Sequence, residues 1–164
     1  METTPETLAR RLEASVERMT ALLNPAQVQE KHLRAAPGSA EWNTLQVLGH
    51  MVEMLPYWTA QSRQLIDADQ PPPFGRALES PERLAGIERG NSAGLVELLQ
   101  QVQAETRAAA GFIRGLSPEA RAKTGIHPRR GPMTVDEIAR IFMVEHAEEH
   151  LEQVREVLRV TGGG

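Results

Sequence analysis

Apolar residues recur at steps of three and four over four long stretches of the chain, and each stretch is bounded by capping or breaking residues. The first begins at Thr4, an N-cap residue followed by Pro5 at the first helical position, and places Leu8, Leu12, Val16 and Met19 on one face before Asn24-Pro25 ends it. The second starts at Asn43, which with Gln46 three residues later makes a capping-box variant. It continues through Leu45, Val47, Leu48, Met51, Val52, Met54, Leu55 and Tyr57-Trp58, apolar nearly all round and so expected at the centre of the fold. Pro56 lies inside this pattern and predicts a kink near Val52.

Pro71-Pro72-Pro73 reads as a stiff crossover, after which Ser80-Pro81-Glu82 caps a short helical piece closed by Gly90. Asn91 or Ser92 is the expected cap of a third long helix running through Leu95, Leu98, Leu99, Val102 and Phe112 to Gly115. Residues from Leu116 to Pro132, rich in Gly, Pro and Arg, read as a loop, and Thr134 with Glu137 forms a capping box for the fourth helix. That helix carries Val135, Ile138, Ile141, Phe142, Val154, Val157 and Leu158 and ends at Gly162–Gly164. No convincing alternating strand segment and no internal repeat interrupts the series, so the pattern predicts an all-α four-helix bundle.

Length and composition narrow this further. With 164 residues, residues 1–164 are expected to form a single domain. Hydrophobic residues make up 40% and charged residues 24%, which places the chain among folded globular domains. A net charge of −4 with no basic run argues against nucleic acid as a partner. No stretch approaches the roughly 18 apolar residues of a membrane span, and the N-terminus carries charges at helical spacing where a signal peptide would be apolar, so no membrane partner and a cytoplasmic location are expected. Cysteine is absent, which removes disulfides, cysteine-based metal sites and a cysteine nucleophile.

The candidate chemistry rests on histidine. His146 and His150 lie four apart, on one face of the fourth helix, with Phe142 or Met143 one turn before and Val154 one turn after, so both rings are expected to point inward. Two inward imidazoles cannot both carry charge cheaply, and a divalent metal, which binds the neutral ring, answers that difficulty. A solvated face, or two core histidines each bonded to a carboxylate, are the alternatives. His50 sits on the most buried helix and, facing the pair, would complete three nitrogens with open positions, the arrangement of a catalytic metal. The segment also matches the inverted zinc-peptidase pattern H-x-x-E-H through Glu149, whereas the Glu-x-x-His spacing of di-iron bundles is missing: Met143, Ala147 and Val47 stand at those offsets. Glu53 and Glu149 are candidate bases or orienting groups, and Tyr57, Trp58 and Phe142 candidate pocket walls. Arg129 and Arg130 are candidates for holding an anionic cofactor, His127 is expected to be a loop residue, and Gln153 is placed to hydrogen-bond near the site.

Taken together, Trp42-Asn-Thr-Leu-Gln-Val-Leu-Gly-His50, Met133-Thr-Val-Asp-Glu-Ile138 and His146-x-x-x-His150-x-x-Gln153 resemble the DinB/YfiT-like superfamily over nearly the whole chain. The resemblance implies an up-down-down-up four-helix bundle, often a homodimer, holding a divalent ion such as zinc or nickel on His50, His146 and His150. It also implies a thiol-dependent enzyme, in which a low-molecular-weight thiol of the bacillithiol or mycothiol kind is transferred to a small electrophile. Two other readings share the site: a non-catalytic, stress-related metal- or ligand-binding bundle, and a metal-dependent hydrolase using bound water with Glu149 as base.

Overall fold

The computed structural model describes residues 3–162; Gly163 and Gly164, part of the predicted glycine terminus, lie outside the described residues. Four long helical stretches form the bundle: α1 (Pro5–Leu22), α3 (Thr44–Asp67), α5 (Leu95–Arg114) and a final stretch made of α7 (Val135–Glu137), a π-helical segment (Ile138–Glu145) and α8 (His146–Thr161). Short helices α2 (Glu30–Arg34), α4 (Pro81–Arg89) and α6 (Pro118–Ala122) and an antiparallel hairpin, β1 (Thr124–His127) with β2 (Gly131–Thr134), fill the connections.

Helix directions follow from side-chain partners. Arg114 at the end of α5 binds Glu6 and Glu13 near the start of α1, while Thr20 meets Gln103, so α1 and α5 are antiparallel. Arg63 lies over Phe112 late in both α3 and α5, which are therefore parallel given that Pro56 and Thr59 face Glu105 and Ala108. Trp58 stacks on Phe142 while His50 meets His146 and His150, making α3 antiparallel to the final helix. Arg121 ties Thr3 to Asp136 and Arg11 reaches Glu148, so α1 and the final helix run together. The bundle is thus up-down-down-up.

The predicted caps form: Thr4 accepts from Thr7 N–H, and Asn43–Gln46 and Thr134–Glu137 are both reciprocal capping boxes. The α1 stripe Leu8, Leu12, Val16 and Met19 is buried against α5 and the final helix, and α3 buries residues on nearly every side, as a central helix should.

Pro56 lies exposed inside α3, which does not end there but runs on to Asp67. Three sequence expectations change. The third helix is capped by Gly94, because Ser92 Oγ and Asn91 Nδ2 turn back to Arg89 and Glu88 and terminate α4 instead. The predicted loop from Leu116 to Pro132 contains α6 and the hairpin, whose turn uses Gly131 at φ +71°. The crossover is pinned to it, Phe74 N–H donating to the Ile126 carbonyl and Ile126 N–H to the Pro72 carbonyl. The fourth helix, finally, is not uniformly α: its π-helical segment immediately precedes His146.

One close approach matters for the site. A Cβ on Gly49 would fall 2.3 Å from the Gly86 carbonyl oxygen, and one on Gly90 2.5 Å from Gln46 Cα. Only glycine lets α4 lie this close to the first turns of α3, directly beside His50.

Candidate metal centre

His50, in the second turn of α3, faces His146 and His150 on successive turns of α8. Ring centroids are 5.6 Å apart for His50 and His146, 4.9 Å for His50 and His150, and 4.5 Å for His146 and His150. One nitrogen from each ring lies within 4.8 Å of the others. Tetrahedral coordination at about 2.1 Å would bring such nitrogens to about 3.4 Å, a contraction that small χ rotations supply.

The rings are held in place by their neighbours. Gln153 Oε1 lies 2.8 Å from His150 Nδ1, which fixes the proton there and leaves Nε2 as an acceptor facing the cluster. The π-helical turn does the same for His146: its backbone N–H turns to the Met143 carbonyl, and the Phe142 carbonyl accepts from the His146 ring. His50 Nδ1 and Nε2 and His150 Nε2 are buried without a hydrogen-bond partner among the described residues. Orphaned buried nitrogens are costly, and a shared cation is the group that these donors fit.

Electrostatics agree. Burial pushes the His50 proton affinity down to about 2, assisted by the neighbouring rings, and that of His150 down to about 4. His146 is also lowered, mainly by burial, against the opposing pull of Glu149. All three rings are therefore neutral at physiological pH, as metal ligands must be.

Aromatic walls flank the rings in a row along α8. Trp42 lies 5.1 Å from His50 and 6.4 Å from His150, and beside it a cavity of about 480 Å³ reaches His150 and Gln153 between Glu41 and Glu156. At the other end Phe142 stacks on Trp58 at 4.4 Å, with the Arg130 guanidinium 5.4 Å from the Phe142 ring.

The remaining sequence candidates fall in different places. Glu53 forms a bidentate ion pair with Arg76, whose guanidinium also covers Tyr57 at 3.8 Å. Glu149 is exposed, close enough to act on His146. Arg129 and Arg130 are exposed in the hairpin turn. His127 is no plain loop residue: it is buried at the end of β1, and its Nδ1 accepts from the backbone N–H groups of Arg129 and Arg130, holding the turn. Sequence reasoning did not select Arg83, on α4, whose guanidinium lies 5.4 Å from the Trp42 ring and whose charge acts on all three histidines. Nothing in the local pattern marks it, since it reaches the site only through the α3–α4 glycine contact.

Comparison with known proteins fits this arrangement. The sequence model of the DinB superfamily matches residues 11–154. Among solved structures, YfiT from Bacillus subtilis, described as a probable metal-dependent hydrolase with an unusual four-helix bundle topology, aligns with a TM-score of 0.79. Identity is 15%, and the alignment covers 98% of this chain and 89% of that one, so the likeness is one of fold. No curated protein sequence matches the chain.

Proposed function

Because the chain belongs to the DinB superfamily, we propose that it is a metal-dependent enzyme holding a divalent ion, zinc or nickel, on His50, His146 and His150, and that it transfers a low-molecular-weight thiol to a small electrophile. The observation that carries this reading is the convergence of three neutral imidazoles, two of them with orphaned nitrogens, in a chain that has no cysteine to fill an open position. A bound cation supplies Lewis acidity, lowering a thiol's pKa from about 8.5 so that thiolate is present at neutral pH.

The chain's own residues provide the rest. Gln153 and the Phe142 carbonyl orient the two α8 rings, and Trp42, Trp58 and Phe142 exclude water from the reacting atoms. Glu149 accepts the thiol proton; the S–C bond forms as the leaving group departs with its bonding pair. Arg129 and Arg130 hold the anionic part of the thiol, and Glu53 acts by fixing Arg76. The protein is taken to work as a single-domain unit, a homodimer in the cytoplasm, which sedimentation and fractionation test.

Metal analysis of protein purified without chelator should find about one divalent ion per chain, lost in His50→Ala and His146→Ala. Unchanged content in both variants refutes the site. Monochlorobimane offered with thiols then tests the reaction. The influence of Glu149 on His146 favours one second reading, hydrolysis by bound water with Glu149 as base. Ester or amide cleavage without thiol would select it, and activity in neither assay would leave a binding bundle.

A further inference from the structure

The charges around the three rings do not balance. Arg76 is neutralised by Glu53, Arg11 by Glu148 and Arg121 by Asp136. Arg83 has no such partner: no carboxylate oxygen among the described residues lies within ion-pair distance, and its side chain donates from Nη1 to the Leu78 carbonyl at 2.9 Å. It is half-buried, its backbone N–H fixed by the Ser80 cap at the third position of α4, and it lies across the indole that contacts His50 and His150. A guanidinium kept partly out of water carries a desolvation cost that an anion would offset, and a cation on the adjacent nitrogens would make the local field more positive still. Glu53 and Glu79 act on Arg83 only through space, and among the described residues no carboxylate hydrogen-bonds to the three rings. That leaves the guanidinium open to an anion that comes with the ligand.

We propose that Arg83 is the carboxylate-binding group of this centre, so that the electrophile brought to the three histidines carries a carboxylate held by the guanidinium at the edge of the Trp42 ring. Guanidinium geometry matches a carboxylate in two parallel hydrogen bonds, and the indole supplies an apolar floor for the carbon skeleton. The glycine notch at Gly49, Gly86 and Gly90 is what brings α4, and hence Arg83, to this edge. Specificity thereby resides in the crossover, apart from the residues that hold the ion. The assignment rests on the three-histidine centre proposed above.

The test uses the full chain, metal-free and zinc-loaded, titrated with acetate and with acetamide as the uncharged counterpart. The chain has two tryptophans, so the two indole N–H resonances report by residue. Acetate should shift the Trp42 signal and leave Trp58 unmoved in both protein forms, more tightly with zinc, and acetamide should move neither. Arg83→Gln should weaken acetate binding about tenfold or more, Arg83→Lys less, and Arg10→Gln, an exposed α1 arginine paired with Glu6, not at all, with zinc content equal throughout. Titration of Arg83→Gln indistinguishable from wild type overturns the proposal, as does an equal response to acetamide. Failure to take up zinc would sink the metal reading alone, since the metal-free titration still decides the role of Arg83.

Discussion

Replacing His50 with leucine should make the metal-free protein more stable, and increasingly so as the pH falls. In the folded chain the His50 ring resists protonation down to about 2 and that of His150 down to about 4, whereas unfolded imidazoles titrate near 6.5. Below pH 6.5 the unfolded chain therefore takes up protons that the folded chain refuses. Stability is complete above 6.5 and is lost as pH falls, down to about 4 for His150 and about 2 for His50. At pH 5 each ring contributes a loss of about 1.5 pH units times 1.36 kcal/mol, or about 2 kcal/mol, so the pair costs about 4 kcal/mol against a typical total of 5–15. His50→Leu removes one such ring and two buried unpaired nitrogens. Urea denaturation of metal-free wild type and variant at pH 8 and pH 5 should show the variant at least as stable at pH 8 and its advantage growing by about 2 kcal/mol at pH 5. Zinc at a hundred times its dissociation constant should add about 2.7 kcal/mol to the wild type and nothing to the variant. A stability gap that stays constant between pH 8 and pH 5 would refute the buried neutral ring.

Gln153→Ala frees the His150 ring and should weaken zinc affinity about 10- to 100-fold, measured by competition with a chromophoric chelator, while the fold's circular dichroism is unchanged. Gly86→Ala would put a methyl group 2.6 Å from Glu53 Cβ, so thermal denaturation should show a loss of about 1–3 kcal/mol; a variant as stable as wild type would mean that α4 is not tightly seated on α3. Pro56→Ala restores a backbone donor in an exposed helix interior and should raise the melting temperature, by an amount bounded by the roughly 3 kcal/mol proline penalty.

What the sequence disclosed divides along physical lines. Caps and periodicity are local, so Thr4, Asn43, Ser80 and Thr134 marked their helices correctly, and the spacing of His146 and His150 announced a shared face. Features that depend on distant partners stayed hidden. Residues 124–134 have no alternating pattern because the strands are only four residues long and the hairpin is held partly by the crossover at Pro72 and Phe74. The π-helical turn has no sequence mark at all, since Ile138 to Glu145 is as apolar and periodic as an α-helix would be. The same holds for His127, whose Nδ1 is committed to backbone donors that only the folded turn supplies.

Topology explains why the site has a second, non-local half. Helices α3 and α5 are parallel neighbours, so the chain leaving α3 at Asp67 must travel back along the bundle before α5 can begin. For a helix of 24 residues that distance is about 36 Å. An up-down-up-down bundle would close the gap with a tight turn; this one must cover its own flank with segment 68–94. Two anchors place that segment, the hairpin at Pro72–Phe74 and the glycine notch at α4, and between them they carry Arg76 and Arg83 to the edge where His50 lies. The proposed ion-binding set thus belongs to the two helices whose contacts define the core, while Arg83, the residue that would discriminate among ligands, stands half-buried on the connection between α3 and α5. Substitutions of Arg83 should accordingly change which ligand is accepted while leaving zinc content and core stability as they are.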